Sequence, residues 1–174
     1  MKKRPPFNQN SAIRGSIRRM FSRSPVVREV LMQGRREVSK YNKDGSLAKK
    51  PAVQYQCEVC NEWVSSTKMA VDHKIPVISV ENGFIDWNTF VERLFCAKEN
   101  LQRICDPCHD AKTLKERWER IIGETYQLLP KMESMKGEAL KKMLQKFTPK
   151  KLINYPADIQ KRITTLKEKT KKKK

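Results

Sequence analysis

Cys57-Glu58-Val59-Cys60 and Cys105-Asp106-Pro107-Cys108 are two C-x-x-C pairs separated by 44 residues, and they decide how the centre of this chain folds. A zinc ion takes four soft ligands in a tetrahedron, and one C-x-x-C turn offers two thiolates from a single side. A second such turn elsewhere in the chain closes the cage. Cys57, Cys60, Cys105 and Cys108 are therefore expected to hold one structural Zn2+. Two disulfides would suit an oxidising compartment, and a thioredoxin-type redox motif would account for one C-x-x-C but not for two. The fifth cysteine, Cys96, has no partner left and reads as a small buried apolar residue. Zinc here would tie the start of a module to its last helix and offset a modest core.

Outward from the cysteines, the composition says why such help is needed. Hydrophobic residues make up 38% of the 174, below the roughly 45–50% of an average globular chain. There are 38 Lys+Arg against 19 Asp+Glu, a formal net charge of +19. No apolar stretch approaches the ~20 residues that span a bilayer. Met1-Lys2-Lys3-Arg4-Pro5-Pro6-Phe7 does not lead into the apolar run of a signal peptide, so the expectation is a cytoplasmic chain with no membrane partner. The basic residues are scattered among helix-like segments rather than clustered beside an amphipathic anchor, which turns the charge away from a lipid surface and towards nucleic acid.

The charge is unevenly placed. Residues 1–50 hold 14 Lys/Arg and 3 Asp/Glu, residues 51–118 hold 8 and 10, and residues 119–174 hold 16 and 6. A near-neutral centre, containing every cysteine and both histidines, lies between two basic arms. The expected organisation is a basic helical arm over 1–50, a module over 51–118 and a basic helical extension over 119–174 ending in the solvated tail Lys171–Lys174. Asn42-Lys43-Asp44-Gly45-Ser46 is the turn-like cluster that marks the first boundary. Upstream, Ile13, Ile17, Met20 and Phe21 recur at helical spacing. Ser24-Pro25 opens a second helix, with Val26, Val27, Val30 and Leu31 on it. Both apolar faces are too small for a core of their own, so these helices dock on the centre or order on a partner. Downstream, Leu114, Trp118, Ile121, Ile122 and Leu129 predict a long helix ending near Pro130. Met132, Met135, Leu140, Met143, Leu144 and Phe147 make a second amphipathic stripe, read as helix packing. Ile159, Ile163 and Leu166 suggest a last short helix.

Between the C-x-x-C pairs lies Val71-Asp72-His73-Lys74-Ile75-Pro76, and around the second pair runs Asn100-Leu101-Gln102-Arg103-Ile104-Cys105-Asp106-Pro107-Cys108-His109-Asp110-Ala111-Lys112. Asp72-His73 with Pro76, then Asn100, then Cys108-His109 with Lys112 resembles the zinc-containing branch of the HNH endonucleases. Asn82-Gly83-Phe84-Ile85-Asp86-Trp87, Glu92-Arg93-Leu94-Phe95-Cys96 and Glu99-Asn100-Leu101-Gln102 look especially like bacteriophage members of that branch. The resemblance covers residues 53–118. It implies an α+β fold: a small zinc-stabilised ββα-metal module, here flanked by the two basic arms, with one catalytic divalent metal between hairpin and helix. The residues agree with that outline. Met69–His73 and Lys74–Ser79 are rich in strand formers and predict the hairpin. Trp87–Phe95 predicts a helix inserted between hairpin and closing helix, with Trp87, Phe90, Val91, Leu94 and Phe95 on its apolar side.

Hydrolysis of a phosphodiester needs an activated water and positive charge at the phosphate and leaving oxygen. On the resemblance, His73 is the general base, since an unperturbed imidazole titrates near the working pH. Its other ring nitrogen needs an acceptor, and Asn100 orients it, braces the loop or reaches the metal. Asp72 and His109 are the expected ligands of the divalent ion. The carboxylate suits Mg2+, and the imidazole favours Mn2+, Ni2+ or Zn2+. Lys74, Arg103, Lys112 and Lys115 are candidates for phosphate contacts. The expected function is a metal-dependent endodeoxyribonuclease, nicking or cutting both strands of DNA. It would be phage-encoded, work in the host cytoplasm and have low sequence specificity, because no helix-turn-helix signature is present. Phage packaging or replication proteins are candidate partners. The alternative is a non-catalytic zinc module that binds nucleic acid, a ribonucleoprotein or a phage protein complex. The arms would supply salt-sensitive grip, and trimming them would leave a weaker but competent nuclease core.

Overall fold

The chain begins with two helices whose apolar stripes decide where they go. A computed structural model describes residues 6–171; the leading Met1–Pro5 and, beyond Lys171, the lysine tail lie outside them. Helix α1 (Gln9–Phe21) is capped by Asn8, whose side-chain oxygen accepts the Ser11 N–H at 2.9 Å. Helix α2 (Pro25–Met32) has its proline in the first turn after Ser24, as the sequence predicts. Their inward residues, Phe21 and Val30, are buried in one cluster with Val77, Phe90, Leu94 and Leu101. Of the two fates open to these helices, docking on the centre is the one observed. The expected division at residue 50 therefore does not stand. Contacts divide the chain instead into a unit up to Thr113 and a second from Leu114 onward.

Strand β1 (Arg35–Val38) pairs antiparallel with β2 (Ala52–Gln56), which pairs antiparallel with β3 (Trp63–Ser65). The Asn42–Ser46 cluster is thus no domain boundary but the tip of a connection between paired strands. There the Asp44 carboxylate accepts the Ser46 N–H and hydroxyl, and Gly45 supplies a φ of +81° that an L side chain resists.

Strand β4 (Met69–His73) is where expected, but its partner is not. It pairs antiparallel with β5 (Leu101–Cys105), with His73 opposite Leu101 and Met69 opposite Cys105. Lys74–Ser79 forms no strand. Pro76 has no N–H for a ladder, and the Lys74 and Ile75 N–H groups are already taken by the Asn100 carbonyl at 2.7 Å and its side-chain oxygen at 2.9 Å. Helix α3 (Trp87–Leu94) is consequently inserted between the two strands rather than after a hairpin. Asp86 caps it, accepting the Thr89 N–H and hydroxyl, and these bonds hold the Asp86 carboxyl below its ordinary range. Phe90 and Leu94 face the core. Cys96 packs half-buried against that core.

Helix α4 (Asp106–Ser134) starts directly after Cys105, and the unit boundary falls within it. It does not stop near Pro130 as expected. A proline interrupts one N–H of the ladder, yet Leu129 and Met132, both fully buried, straddle it, and the helix runs one further turn. In the second unit, α5 (Gly137–Leu144), the short α6 (Pro149–Leu152) and α7 (Ala157–Lys171) complete the element order. Leu129, Met132, Leu140, Leu144, Phe147, Ile159, Ile163 and Leu166 make its core, with Met135 and Met143 against it. The methionine stripe is packing, as read. The fold is a mixture of helices and two small sheets, and among the described residues no helix is long and apolar enough to cross a membrane.

Candidate functional site

The two C-x-x-C turns meet. Cys57 follows β2, and its turn closes with the Cys57 N–H bonded to the Glu62 carbonyl and the Asn61 N–H to the Cys57 carbonyl, both at 2.9 Å. Cys105 ends β5, and Cys108 lies in the first turn of α4. The ligand atoms of Cys57, Cys60, Cys105 and Cys108 all lie within 4.8 Å of one another, and the Cys60 and Cys105 sulfurs are 3.7 Å apart. A tetrahedral ion with Zn–S bonds of ~2.3 Å sets its sulfurs ~3.8 Å apart, so the spacing fits. Four thiols also suit zinc better than a hard cation. The four cysteines are positioned to hold a metal ion, as expected from sequence.

The thiols do not share protons evenly. Burial pushes the Cys57 thiol up, but backbone N–H groups of Cys60, Cys105 and Val59 and the Cys60 thiol outweigh it and bring it down to about 6. Cys108 is pushed up to about 12, first by its hydrogen bond to Cys105, then by burial and its other sulfur neighbours. Cys57 thus favours the thiolate, while Cys105 and Cys108 are shifted the other way, an imbalance that a bound cation would remove.

His73, the last residue of β4, is buried. Its Nε2 lies 2.9 Å from the carbonyl oxygen of Leu94. A carbonyl only accepts, so Nε2 carries the proton and Nδ1 of the neutral ring holds the lone pair. Nδ1 has no protein partner among the described residues and is not sealed from solvent. The Phe21 ring stands 5.0 Å from the imidazole, tilted by 37°, and Phe95 packs edge-on against Phe21. The acceptor that sequence reasoning sought in Asn100 is thus a backbone carbonyl of α3. Asn100 has the bracing role: its amide grips Ile75, and its carbonyl takes the Lys74 N–H.

Asp72 points the other way, as alternation along a strand requires, towards α4. Its Oδ2 is sealed from solvent without an aligned hydrogen bond, 2.8 Å from the Lys112 ammonium. Lys112 also donates to the His73 carbonyl at 2.8 Å. His109 is half-buried one turn before Lys112, hence on the same face of α4. Asp72 and this face of α4 are brought together, whereas no hydrogen bond joins the His73 ring to Asp72, Asn100 or His109 among the described residues.

The four cations expected at phosphates divide. Lys74 is exposed, and Lys115 is exposed with Glu119 at 3.9 Å. Lys112 is turned inward. Arg103 also departs from expectation: its guanidinium donates to the Val30 carbonyl at 2.8 Å and the Gln56 carbonyl at 3.2 Å, and pairs with Glu58 at 3.1 Å. It rivets α2 to both sheets rather than facing solvent. Sequence reasoning missed Leu94 and Phe21 at the histidine. A backbone acceptor leaves no signal in side-chain identity, and Phe21 is read only as one more apolar position of a helix. Compared with family models, with curated proteins and with solved structures, the chain matches none.

Proposed function

We propose that this protein is a metal-dependent endonuclease of the HNH type that hydrolyses DNA phosphodiester bonds, nicking or cutting both strands. The observation that carries the reading is the His73 ring, fixed by Leu94 with Nδ1 open, at the end of a strand pair that leads directly into α4. The order β4, β5, α4 is a ββα order, with α3 as an insertion. In the reaction Nδ1 takes the proton of the attacking water, and the Leu94 carbonyl keeps hold of Nε2–H and favours the imidazolium that results. The Asn100 brace keeps the segment after His73 in place. Asp72 and His109 offer a hard oxygen and an imidazole for Mg2+, Mn2+, Ni2+ or Zn2+. The Asp72 carboxylate, its Oδ2 sealed from solvent and paired with the Lys112 ammonium at 2.8 Å, would exchange that partner for the ion. When bound, such an ion supplies positive charge to the scissile phosphate and the departing 3′ oxygen. The four-cysteine cluster holds β2, β5 and α4 together, as a structural zinc site does. A phage origin, action in the host cytoplasm and packaging or replication partners belong to the same proposal.

Supercoiled plasmid incubated with the zinc-loaded chain and each of these ions tests it. Nicked or linear product that disappears in His73→Ala is expected. Intact plasmid with every ion, or equal cutting by His73→Ala, overturns the reading. The second reading, a non-catalytic zinc module that binds nucleic acid, is favoured by one observation: the Lys112 ammonium already answers the Asp72 charge. It predicts that binding survives His73→Ala and is lost in Cys57→Ser.

A further inference from the structure

Among the described residues, three guanidinium groups are held against carboxylates: Arg35 on Glu37, Arg103 on Glu58 and Arg162 on Glu133. Arg36 is held as firmly by neutral groups alone. Its guanidinium carbon lies 4.0 Å from the centroid of the Trp63 ring, and its Nε and one Nη both donate to the Gln54 side-chain oxygen, at 2.9 and 2.7 Å. Two of five N–H donors are used, so three remain to face outward. No carboxylate pairs with Arg36 among the described residues. A fixed, exposed cation with spare donors and no internal counter-charge is arranged for an anion from outside.

The surroundings agree. By strand register, Arg36 shares one face of the β1–β2–β3 sheet with Gln54, Gln56, Trp63 and Ser65. Glu37 falls on the opposite face with Arg35. Trp63 is half-buried, which keeps its ring fixed beneath the cation, and Gln56 is anchored by its amide on the Asn61 carbonyl. Beyond the strand, Lys40, Lys43, Lys49 and Lys50 are exposed, against Asp44 alone.

We propose that this sheet face binds the phosphate backbone of duplex DNA, with Arg36 as a preorganised phosphate clamp seated on Trp63 and Gln54. The choice of DNA rests on the nuclease reading; the clamp rests on the geometry of Arg36. Stacking and the Gln54 bonds restrain the side chain before binding, so little of its freedom is lost on contact. The site sits on the hairpin that flanks the first C-x-x-C turn, so its rigidity depends on the closed cysteine cluster.

The test is fluorescence anisotropy of a labelled DNA duplex with the full, zinc-loaded chain in the His73→Ala background, over a range of KCl. Arg36→Ala is expected to weaken binding about tenfold at ~0.1 M salt and to reduce the salt slope by about one unit, as for one lost phosphate contact. Arg36→Lys should keep most of the slope but lose affinity, because an ammonium neither stacks nor forks. Arg35→Ala, on the other face, should stay within twofold of the parent. Equal affinity and slope for Arg36→Ala, or an equal loss for Arg35→Ala, overturns the clamp. So does a stronger Arg36 dependence for a duplex RNA of the same sequence, which would reassign the ligand. Should Arg36→Ala lose its zinc or its fold, Gln54→Ala, which frees the guanidinium without removing it, decides: unchanged affinity overturns the proposal. Arg36-dependent binding by a chain that cuts no plasmid refutes the nuclease reading alone, and cutting with Arg36-independent binding refutes the clamp alone.

Discussion

Gly34 is the position at which one methyl group should do the most damage. Its φ is not in the left-handed region, so the backbone does not demand glycine there. Space does. A Cβ at this position would stand 2.3 Å from Arg103 Nε, 2.8 Å from its Cζ and 3.0 Å from its Cδ. Ordinary contact begins at 3.4 Å, so Nε must retreat by about 1.1 Å. A free arginine would swing aside, but this one is pinned by the Val30 and Gln56 carbonyls and by Glu58. Each hydrogen bond from a charged donor contributes about 1.5–3 kcal/mol. Losing one or two is offset only by the ~0.4–1 kcal/mol that alanine gains through a less flexible unfolded chain. Gly34→Ala should therefore destabilise the first unit by about 2–4 kcal/mol. Urea unfolding of the zinc-loaded chain measures it, followed by Trp63 and Trp87 fluorescence with Trp118→Phe silencing the second unit. In an Arg103→Ala background the same substitution should cost less than about 0.5 kcal/mol, because nothing is left to collide with. A neutral Gly34→Ala in the parent, or an equal loss in both backgrounds, would refute the account of Arg103 as a pinned rivet.

Metal affinity should depend on pH through the cysteines. Cys57, held near 6, loses its proton first and is reprotonated as pH falls through that value, whereas Cys108, pushed to about 12, gives up its proton only to the metal. Zinc binding therefore releases protons, and competition with a chelator should show affinity at least ~10-fold tighter at pH 8 than at pH 6; equal affinities would contradict the cluster as a zinc site. A chain beginning at Pro51 loses the buried Phe21 and Val30, the strand paired with β2 and one acceptor of Arg103. It should show no dispersed proton NMR spectrum even with zinc, and a native-like spectrum would restore the N-terminal helices to the status of an arm.

Much of this was legible in the sequence because local chemistry determines it. The C-x-x-C spacing placed four sulfurs in one cluster, and Ser24-Pro25 and the Ile159, Ile163, Leu166 stripe became α2 and α7 where expected. What failed was pairing at a distance. Lys74–Ser79 has strand-forming residues and yet no strand, since Asn100 claims its first N–H groups and β5 supplies a better-matched ladder. At the histidine, the residue types were readable but their partners were not. The Leu94 carbonyl reaches His73 only because α3 is inserted between the strands. Arg103 looked like a phosphate contact because exposure cannot be read from the letter.

That last point changes what the charge of +19 means. Composition divided the chain into basic arms and a neutral middle, as if cations meant for nucleic acid hung from the ends. In the structure three of these N-terminal cations stand on ordered elements of the first unit: Arg14 over the Phe84 ring, Arg18 over Phe90 and Arg36 over Trp63. The centre is near neutral by count, and its cations are also less available than the count suggests. Several of its charges cancel pairwise within the fold, Arg103 with Glu58 and Lys112 with Asp72, and a cation engaged inward offers little to a phosphate. Cations seated on aromatic rings differ from these: the ring restrains the side chain without neutralising it. Trimming the first 50 residues would therefore remove more than charge: the helix that carries Arg14 and Arg18 also carries Phe21 to the imidazole of His73.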